Sequence, residues 1–574
     1  MGVDSSPRGR RGPRAAAGSR ALPHLIVAVL ALVSIVVCVF AVQTLSLFVS
    51  PMLFLAAVFL EAVFIVVFVY ALARAATKPS LLLRSLAASA WEGLEENPSI
   101  VRFRRSRVPA VRWLRGRFRP DTPTGFRLTV TIVVTAIPLW NLAALSIEIA
   151  SGGASAVVDR SLPNLMPVVR TSGETTLFAA GTMVGSPLGL AVVTVVTAVL
   201  LWVGRDRFLA LVTVALAVGQ AVLCLLVKLV AHRSRPDAAL ALLHAPLGGY
   251  PSAEVTGTVV VYGFVGYLVV RAFRSASVRL LTVGVYVLLV LVVGLSRVYF
   301  GAVYATDIWA GVLLGAGVLA AAIGTLEIAT RFPVIRATLQ SIRPSRVILA
   351  APVIGVLVAV LGAPVLVMPR PYAMSQGTSA LPSLTATSLK RLPLYSQNLT
   401  GERTEPVSLV FVGTEQQLVS AFRRAGWQRA DPSNAADTLR AFAVGFQGGQ
   451  YPTAPVTPSF IATEPETVAF QKATAANTLR RRHHVRIWRT AFTAPDGRQI
   501  WEATASYDDG IELAPSSKLP THHVAPDIDA ERAYITASLG DGGQLVLLTH
   551  PQMGMNSGGD GFFTDGKAEL ILLP

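Results

Sequence analysis

The sequence is poor in cysteine and in charged residues, and each shortage excludes a class of protein. Its 574 residues include 2 cysteines, Cys38 and Cys224, and both lie inside apolar runs. A disulfide framework and a zinc site built from cysteines are therefore excluded. Charged residues make up 14% of the chain and hydrophobic residues 52%. A soluble protein needs far more charge to cover its surface, so the composition predicts an integral membrane protein.

The charge that is present is mostly positive, with 50 lysine and arginine residues against 33 acidic residues. A net charge of +17 is also found in nucleic-acid-binding proteins, but no motif that reads a nucleic-acid groove accompanies it here. Most of the excess arginine lies in short segments between apolar runs, where basic residues mark the cytoplasmic side. We therefore expect no nucleic-acid partner.

Apolar runs near the ~20 residues that cross a bilayer as a helix recur along the first two thirds of the chain. A basic N-terminus expected to be disordered (residues 1–21) precedes two such runs (22–73), and a basic cytoplasmic segment (74–126) follows them. Residues 127–329 contain six further runs, and residues 347–369 contain a last one. The sequence thus predicts about nine transmembrane helices.

Three short basic connections fall on one side of this arrangement, together with the basic N-terminus. They are Gly204–Arg207, Arg271–Arg279 and Arg331–Arg346. Basic residues in short loops remain on the cytoplasmic side of a membrane. We therefore expect a multi-pass protein of the inner (plasma) membrane, with its N-terminus in the cytoplasm and everything after Met368 outside.

The chain changes character after the last apolar run. Residues 370–400 are rich in proline, serine and threonine and predict a linker. In residues 401–574 the hydrophobic pattern is typical of short strands and amphipathic helices. The predicted strands are Val407–Val412, His484–Ala491, Gln499–Tyr507, Gln544–Thr549 and Ala568–Leu573, and the predicted helices are Thr414–Ala425 and Asp529–Leu539. The fold class is therefore an all-α polytopic membrane protein with a C-terminal soluble α/β domain.

Three short polar segments lie at the outer ends of successive predicted membrane helices. The first contains Lys228 and Arg235, the second contains Ser252 immediately before a helix, and the third contains Arg297 with Asp307 ten residues later. Lysine and arginine supply positive charge and donors for phosphate oxygens. A serine at a helix start adds a hydroxyl and backbone N–H groups. This set predicts an anion site at the depth of lipid headgroups.

In order and spacing, the three segments resemble the signature motifs of the type 2 phosphatidic acid phosphatase family. The resemblance implies a six-helix membrane core at residues 127–329, lipid phosphates as partners, and chemistry without a metal or another cofactor. It implies phosphate binding by Lys228, Arg235, Ser252 and Arg297. It also places Asp307 where the family orients a catalytic base or nucleophile.

Two positions depart from the family pattern. Glu254 stands where the family has the general-acid histidine, and Val303 stands where it has the nucleophilic histidine. Valine cannot attack phosphorus, so the phosphohistidine route is closed at this position. Glu254 either activates water or forms an ion pair with Lys228, Arg235 or Arg297. A displaced nucleophile is the remaining route to activity, and the candidates are His232, His244 and Tyr304.

The C-terminal region resembles the LssY-type C-terminal domain, which is commonly fused to this phosphatase core. The resemblance spans about residues 391–540 and rests on Val407–Gly413, Ala425–Trp427, Arg482–Trp488, Thr521–His523, Asp527, Asp529, Glu531 and Arg532. His484 and His523 with Asp527 or Asp529 suggest a metal site. The competing interpretation, which we favour, makes Arg482–Trp488 a strand that packs against Trp501 and pairs with the acids of the last helix. We therefore expect no metal.

These observations favour a membrane protein that binds a phospholipid or isoprenoid phosphate at the outer face and is catalytically degenerate. Two alternatives remain open. One is an active lipid phosphohydrolase with a displaced nucleophile. The other is a non-enzymatic envelope scaffold that acts through an envelope protein partner of its outer domain.

Overall fold

A computed structural model of the protein describes residues 125–574 with several gaps, and residues 109, 113 and 117 before them. The gaps are residues 154, 237–247, 342–378, 448, 480, 514–519, 541–542, 548–551 and 556–560. The predicted N-terminus (1–21), the first two membrane helices (22–73), most of the basic segment (74–126) and the last membrane helix (347–369) lie outside the described residues. The candidate nucleophile His244 also lies outside them.

The first described part of the chain is helical. Its helices are α1 (Phe126–Ala150), α2 (Ser155–Val169), α3 (Ser172–Gly185), α4 (Pro187–Val203), α5 (Arg207–Ala231), α6 (Ala253–Ala272), α7 (Ala276–Tyr299), α8 (Ala305–Ala329) and α9 (Pro333–Ser341). Five of them, α1, α5, α6, α7 and α8, are long and apolar enough to cross a membrane. Helices α3 and α4 form a sixth candidate span that is bent by 51°. The predicted total of about nine is not confirmed, because the other three spans lie outside the described residues.

The bend between α3 and α4 has a local cause. Ser186 leaves the helical conformation, and its hydroxyl accepts a hydrogen bond from the backbone N–H of Gly189 (3.0 Å). Pro187 then occupies the first position of α4, where a missing N–H costs nothing. The predicted span at Leu188–Gly204 is therefore the second half of a longer bent element.

Close packing of α6 against α8 brings two of the polar segments together. An added Cβ at Gly311 would lie 2.8 Å from the carbonyl oxygen of Ser252, and one at Gly315 would lie 2.7 Å from Cβ of Val259. Glycines four residues apart are a common means of close helix approach in membranes. The contact places the start of α6, with the second polar segment, beside the start of α8, with Asp307.

The C-terminal part is a strand-rich domain. Its strands are β1 (Ser379–Ala380), β2 (Tyr395–Gln397), β3 (Arg403–Pro406), β4 (Leu409–Val412), β5 (Gln428–Arg429), β6 (Phe460–Ile461), β7 (Glu464–Pro465), β8 (Val468–Thr478), β9 (Arg481–Thr493), β10 (Gln499–Leu513), β11 (Pro520–Val524), β12 (Gln544–Leu547), β13 (Gln552–Met555), β14 (Gly561–Thr564) and β15 (Lys567–Leu572). Its helices are α10 (Ala386–Leu389), α11 (Glu415–Arg424), α12 (Ala435–Phe446) and α13 (Ile528–Leu539).

A nine-stranded sheet forms the centre of this domain. Its order is β12-β15-β4-β10-β9-β8-β5, with β1 beside β9 and β11 beside β10. Two smaller sheets, β3-β2-β6-β7 and β13-β14, lie outside this order. The pairs β15–β4 and β1–β9 are parallel, and the other pairs of the large sheet are antiparallel. Leu418 and Phe422 of α11 and Ile535 of α13 belong to one buried apolar cluster with Val485 and Ile487 of β9.

The domain begins earlier than the predicted linker allows. Ser379 and Ala380 form β1 and pair with β9. Leu381, Leu389 and Leu392 are buried in a cluster that contains Trp488. Much of the expected linker at 370–400 is therefore part of the fold. The sequence analysis missed this because three widely spaced leucines in a proline- and serine-rich segment give no periodic signal.

This boundary predicts two different outcomes for two fragments. Residues 379–574 are expected to be soluble and to unfold cooperatively, whereas residues 395–574 lack β1 and the three buried leucines. Removing a buried leucine side chain costs about 2–5 kcal/mol, so the shorter fragment should lose most of its stability. Thermal unfolding followed by circular dichroism measures the difference. Equal melting temperatures for the two fragments would contradict the boundary.

Candidate functional site

The first polar segment lies at the end of α5 and holds two other loops. The Lys228 ammonium group donates to the carbonyl oxygens of Gly248 (2.5 Å) and Gly249 (3.3 Å). The Arg235 guanidinium donates to the carbonyl oxygens of Ala302 (2.5 Å) and Gly248 (3.5 Å). Both side chains are half-buried. The two cations therefore join the end of α5, the segment before α6 and the turn before α8.

The second and third segments meet at an ion pair. Ser252 is fully buried at the N-cap of α6, and its backbone N–H donates to the carbonyl oxygen of Asp307 (2.9 Å). Glu254, in the first turn of α6, forms an ion pair with Arg297 of α7 (3.0 Å between Oε1 and Nη2). The two side chains are 14% and 6% exposed. Of the two roles that the sequence left open for Glu254, the ion pair is present in the structure.

Asp307 is bound by an arginine that the sequence analysis missed. Arg233 donates to Asp307 (2.7 Å) and to Asp159 of α2 (2.6 Å). The backbone N–H and hydroxyl of Thr306 also donate to Asp159, at 3.1 and 2.5 Å. The second oxygen of Asp307 accepts the backbone N–H of Tyr304 (3.0 Å). Both carboxylates are almost fully buried, so Arg233 is the counter-ion that makes their burial tolerable.

The position that the family gives to the nucleophile is packed with apolar groups. Val303 is 1% exposed and lies in a turn with Phe300 and Ala302, which are equally buried. Of the candidate displaced nucleophiles, His232 is exposed at the end of α5. The Tyr304 hydroxyl donates to the carbonyl oxygen of Arg235 (3.3 Å), and burial raises the pKa of Tyr304. A protonated phenol is a weak nucleophile.

Three histidines of the C-terminal domain lie beside carboxylates. His483 contacts Glu531 of α13 (2.8 Å) and stacks between Tyr507 and Tyr534, with ring centroids 4.6 and 3.9 Å away. His484 lies 3.4 Å from Asp508, and His523 lies 2.5 Å from Asp509. Among the described residues, no group of three or more histidine, cysteine or acidic side chains is arranged to hold a metal. The segment Arg482–Trp488 is a strand, β9, and its residue His483 pairs with the last helix.

The two acids suggested as metal ligands contact protein groups at the start of α13. Asp527 caps α13 by accepting the backbone N–H of Ala530 (2.9 Å). Asp529 binds Arg532 (2.9 Å) and accepts the hydroxyl of Thr564 (2.8 Å). The sequence could not distinguish these contacts from metal ligation, because a helix start rich in acids satisfies both patterns.

Comparisons with known proteins support both resemblances. Residues 208–331 match the PAP2 superfamily, and residues 389–568 match the LssY C-terminus. A crystal structure of the first transmembrane PAP2 type phosphatidylglycerolphosphate phosphatase from Bacillus subtilis is 21% identical, with a TM-score of 0.32, and the match covers 35% of this chain and 98% of that one. No curated protein matches the chain. The match to the PAP2 superfamily covers α5 to α8, and the match to the LssY C-terminus covers most of the strand-rich domain.

Proposed function

We propose that this fusion of a PAP2-superfamily membrane segment with an LssY C-terminus binds the phosphate group of a membrane lipid and does not hydrolyse it. The observation that carries the proposal is the ion pair between Glu254 and Arg297. Lys228 and Arg235 lie at the same end of the helices, where both donate to the carbonyl oxygen of Gly248. The site thus holds three cations, and one of them is bound to the carboxylate of Glu254.

The absence of turnover is inferred from the same site. Val303 supplies no nucleophile, and Asp307 is occupied by Arg233 instead of an imidazole. Glu254 is held by Arg297, and its negative charge repels an incoming phosphate dianion. The site therefore retains groups that attract phosphate and lacks groups that transfer it. A phospholipid or isoprenoid phosphate is the expected ligand, since the cations lie at the ends of membrane helices.

Replacing Glu254 with glutamine should strengthen phosphate binding. Removing a unit negative charge that lies within a few ångströms of a bound dianion makes the binding free energy more favourable by at least ~1.4 kcal/mol. This corresponds to a Kd about tenfold lower. Binding of inorganic phosphate to the purified full-length protein, followed by calorimetry, measures this change. Adding Arg297→Ala to the variant should abolish the gain. Glu415→Gln, at an exposed site on α11, is the control with matched chemistry.

The outcomes separate the rival functions. Phosphate release from a lipid phosphate by the wild-type protein, lost in Arg297→Ala, would favour an active phosphohydrolase with a displaced nucleophile. No phosphate binding by either wild type or Glu254→Gln would favour the envelope scaffold.

The proposed orientation places the phosphate site and the C-terminal domain outside the cell. Their location at the same end of the helical bundle supports a shared side, since α2 contacts both Arg233 and β7. In a protein lacking Cys38 and Cys224, Ser420→Cys on α11 should react with a membrane-impermeant maleimide in intact cells. Ser275→Cys, in the connection between α6 and α7, should not react; both serines are exposed. The reverse pattern would place the site in the cytoplasm.

A further inference from the structure

Helix α2 packs directly against the anion site. Its Asp159 is 2% exposed and binds both Arg233 (2.6 Å) and the backbone N–H of Thr306 (3.1 Å). Leu162, Leu165, Met166 and Val169 of α2 are buried in one apolar cluster with Val298, Tyr299 and Phe300, which follow Arg297. The helix is therefore packed against the turn that contains the third polar segment.

The same helix is also held by the outer domain. The Asn164 amide donates to the carbonyl oxygen of Thr463 (3.1 Å) and to the carboxylate of Glu464 (3.1 Å). Leu399 and Phe460 of the domain belong to the apolar cluster that contains Leu162. An added Cβ at Gly401 would lie 2.9 Å from a methyl group of Val157, so the Gly401 backbone packs directly against the side chain of Val157 in α2.

The two sets of contacts use different sides of α2. Asp159 and Asn164 are five residues apart, which corresponds to about 140° around an α-helix. We infer that the outer domain clamps α2 and so keeps Asp159 on Arg233, which makes Asp159 a positioning residue that restrains anion binding at the membrane site. This inference rests on the proposed function, because it describes the regulation of the same site.

The direction of the effect follows from charge. While α2 is packed against the site, the Arg233 guanidinium binds the carboxylates of both Asp159 and Asp307. This trio has a net charge of −1, and it adjoins the cations that attract phosphate. When α2 moves away, Asp159 leaves with it, and Arg233 becomes available to a phosphate oxygen. Release of the clamp therefore raises anion affinity.

Full-length protein carrying Glu254→Gln is the background for the test, because its phosphate binding tests the proposed function by itself. Asn164→Ala, which touches no residue of the anion site, should tighten binding of inorganic phosphate by about fivefold or more. It should also speed hydrogen exchange of the α2 amides in the absence of phosphate. Asn141→Ala is the matched control, since its amide donates to the carbonyl oxygen of Ile137 in its own helix (2.8 Å).

A double-mutant cycle identifies the route. In an Asp159→Asn background, Asn164→Ala should still speed exchange in α2 but should no longer change phosphate affinity. The inference is overturned if α2 exchange is unchanged by Asn164→Ala, or if affinity changes equally in both Asp159 backgrounds. Phosphate binding that is absent from every variant, with α2 exchange faster in Asn164→Ala, would overturn the proposed function and leave the clamp as a structural contact only.

Discussion

Replacing Val303 and Glu254 together with histidine is expected to produce measurable hydrolysis of a lipid phosphate. The imidazole at position 303 would attack phosphorus while the ester P–O bond breaks, and the imidazolium at position 254 would protonate the leaving oxygen. Water would then release phosphate from the histidine. General acid catalysis contributes ~10²–10⁴-fold, so Val303→His alone should be weaker by about that factor. Phosphate release from phosphatidic acid vesicles measures the rate.

The structure adds a condition to this expectation. Asp307 is already bound by Arg233, so a new imidazole must share that carboxylate. Val303 is 1% exposed, and a larger polar side chain there costs packing and desolvation. The control is Val303→Ala with Glu254→Gln, which relieves the same charge without adding an imidazole. A folded, phosphate-binding double-histidine variant that remains inert would show that the site differs from the family in more than these two residues.

Replacing Glu502 with glutamine is expected to stabilise the C-terminal domain at pH 8. Glu502 is 1% exposed and lies opposite Trp488 and Val410 in the sheet register. One of its carboxyl oxygens has no hydrogen-bond partner among the described residues. Burial raises the pKa of Glu502 from 4.5 to about 8. The folded domain therefore keeps a proton at this carboxyl that the unfolded chain loses above its ordinary pKa.

The sign of the pH dependence follows from this difference. The contribution of Glu502 to stability is greatest below pH 4.5, where both states are protonated, and falls as the pH rises towards 8. The loss is on the order of 4 kcal/mol, and Glu502→Gln should remove most of it. Burial also raises the pKa of Glu466 to about 7, so a smaller slope should remain.

Melting temperatures of residues 379–574 between pH 5 and 8 measure this effect. Glu415→Gln, at an exposed carboxyl on α11, should leave the slope unchanged. A glutamine variant at position 502 that is as pH-sensitive as the wild type would mean that water or a cation reaches this carboxylate.

The predictions for the membrane site and for Glu502 both depend on buried carboxyl groups, which are stabilised in two different ways. Asp159 and Asp307 share the Arg233 guanidinium, whereas Glu502 has only apolar cross-strand neighbours and is neutralised by protonation. A buried carboxyl either finds a cation or keeps its proton. The sequence alone does not show which of these three acids has a cation beside it, because Arg233 is 74 residues away from both of its partners.

Elements that depend on local pattern were determined by the sequence. The apolar runs predicted α1 and α5 to α8, because a helix that crosses a bilayer must satisfy its own backbone and cover its length with apolar side chains. The strand prediction at Gln499–Tyr507 lies within β10, and the helix prediction at Thr414–Ala425 matches α11, whose Thr414 and Gln417 form a capping box. The order and spacing of the polar segments also predicted the resemblance to PAP2 proteins, and residues 208–331 match that superfamily.

Only the tertiary structure decided which partner each charged side chain has. The sequence offered Glu254 three basic residues, and helix packing placed Arg297 beside it. No local pattern singles out Asp159, a lone acid in a helix not expected from hydropathy, or Arg233, one of several basic residues near Arg235. Both pair with groups that are far away along the chain, 74 residues apart in each case. Such pairing depends on how α2, α5 and α8 pack together, and a local sequence pattern does not determine that packing.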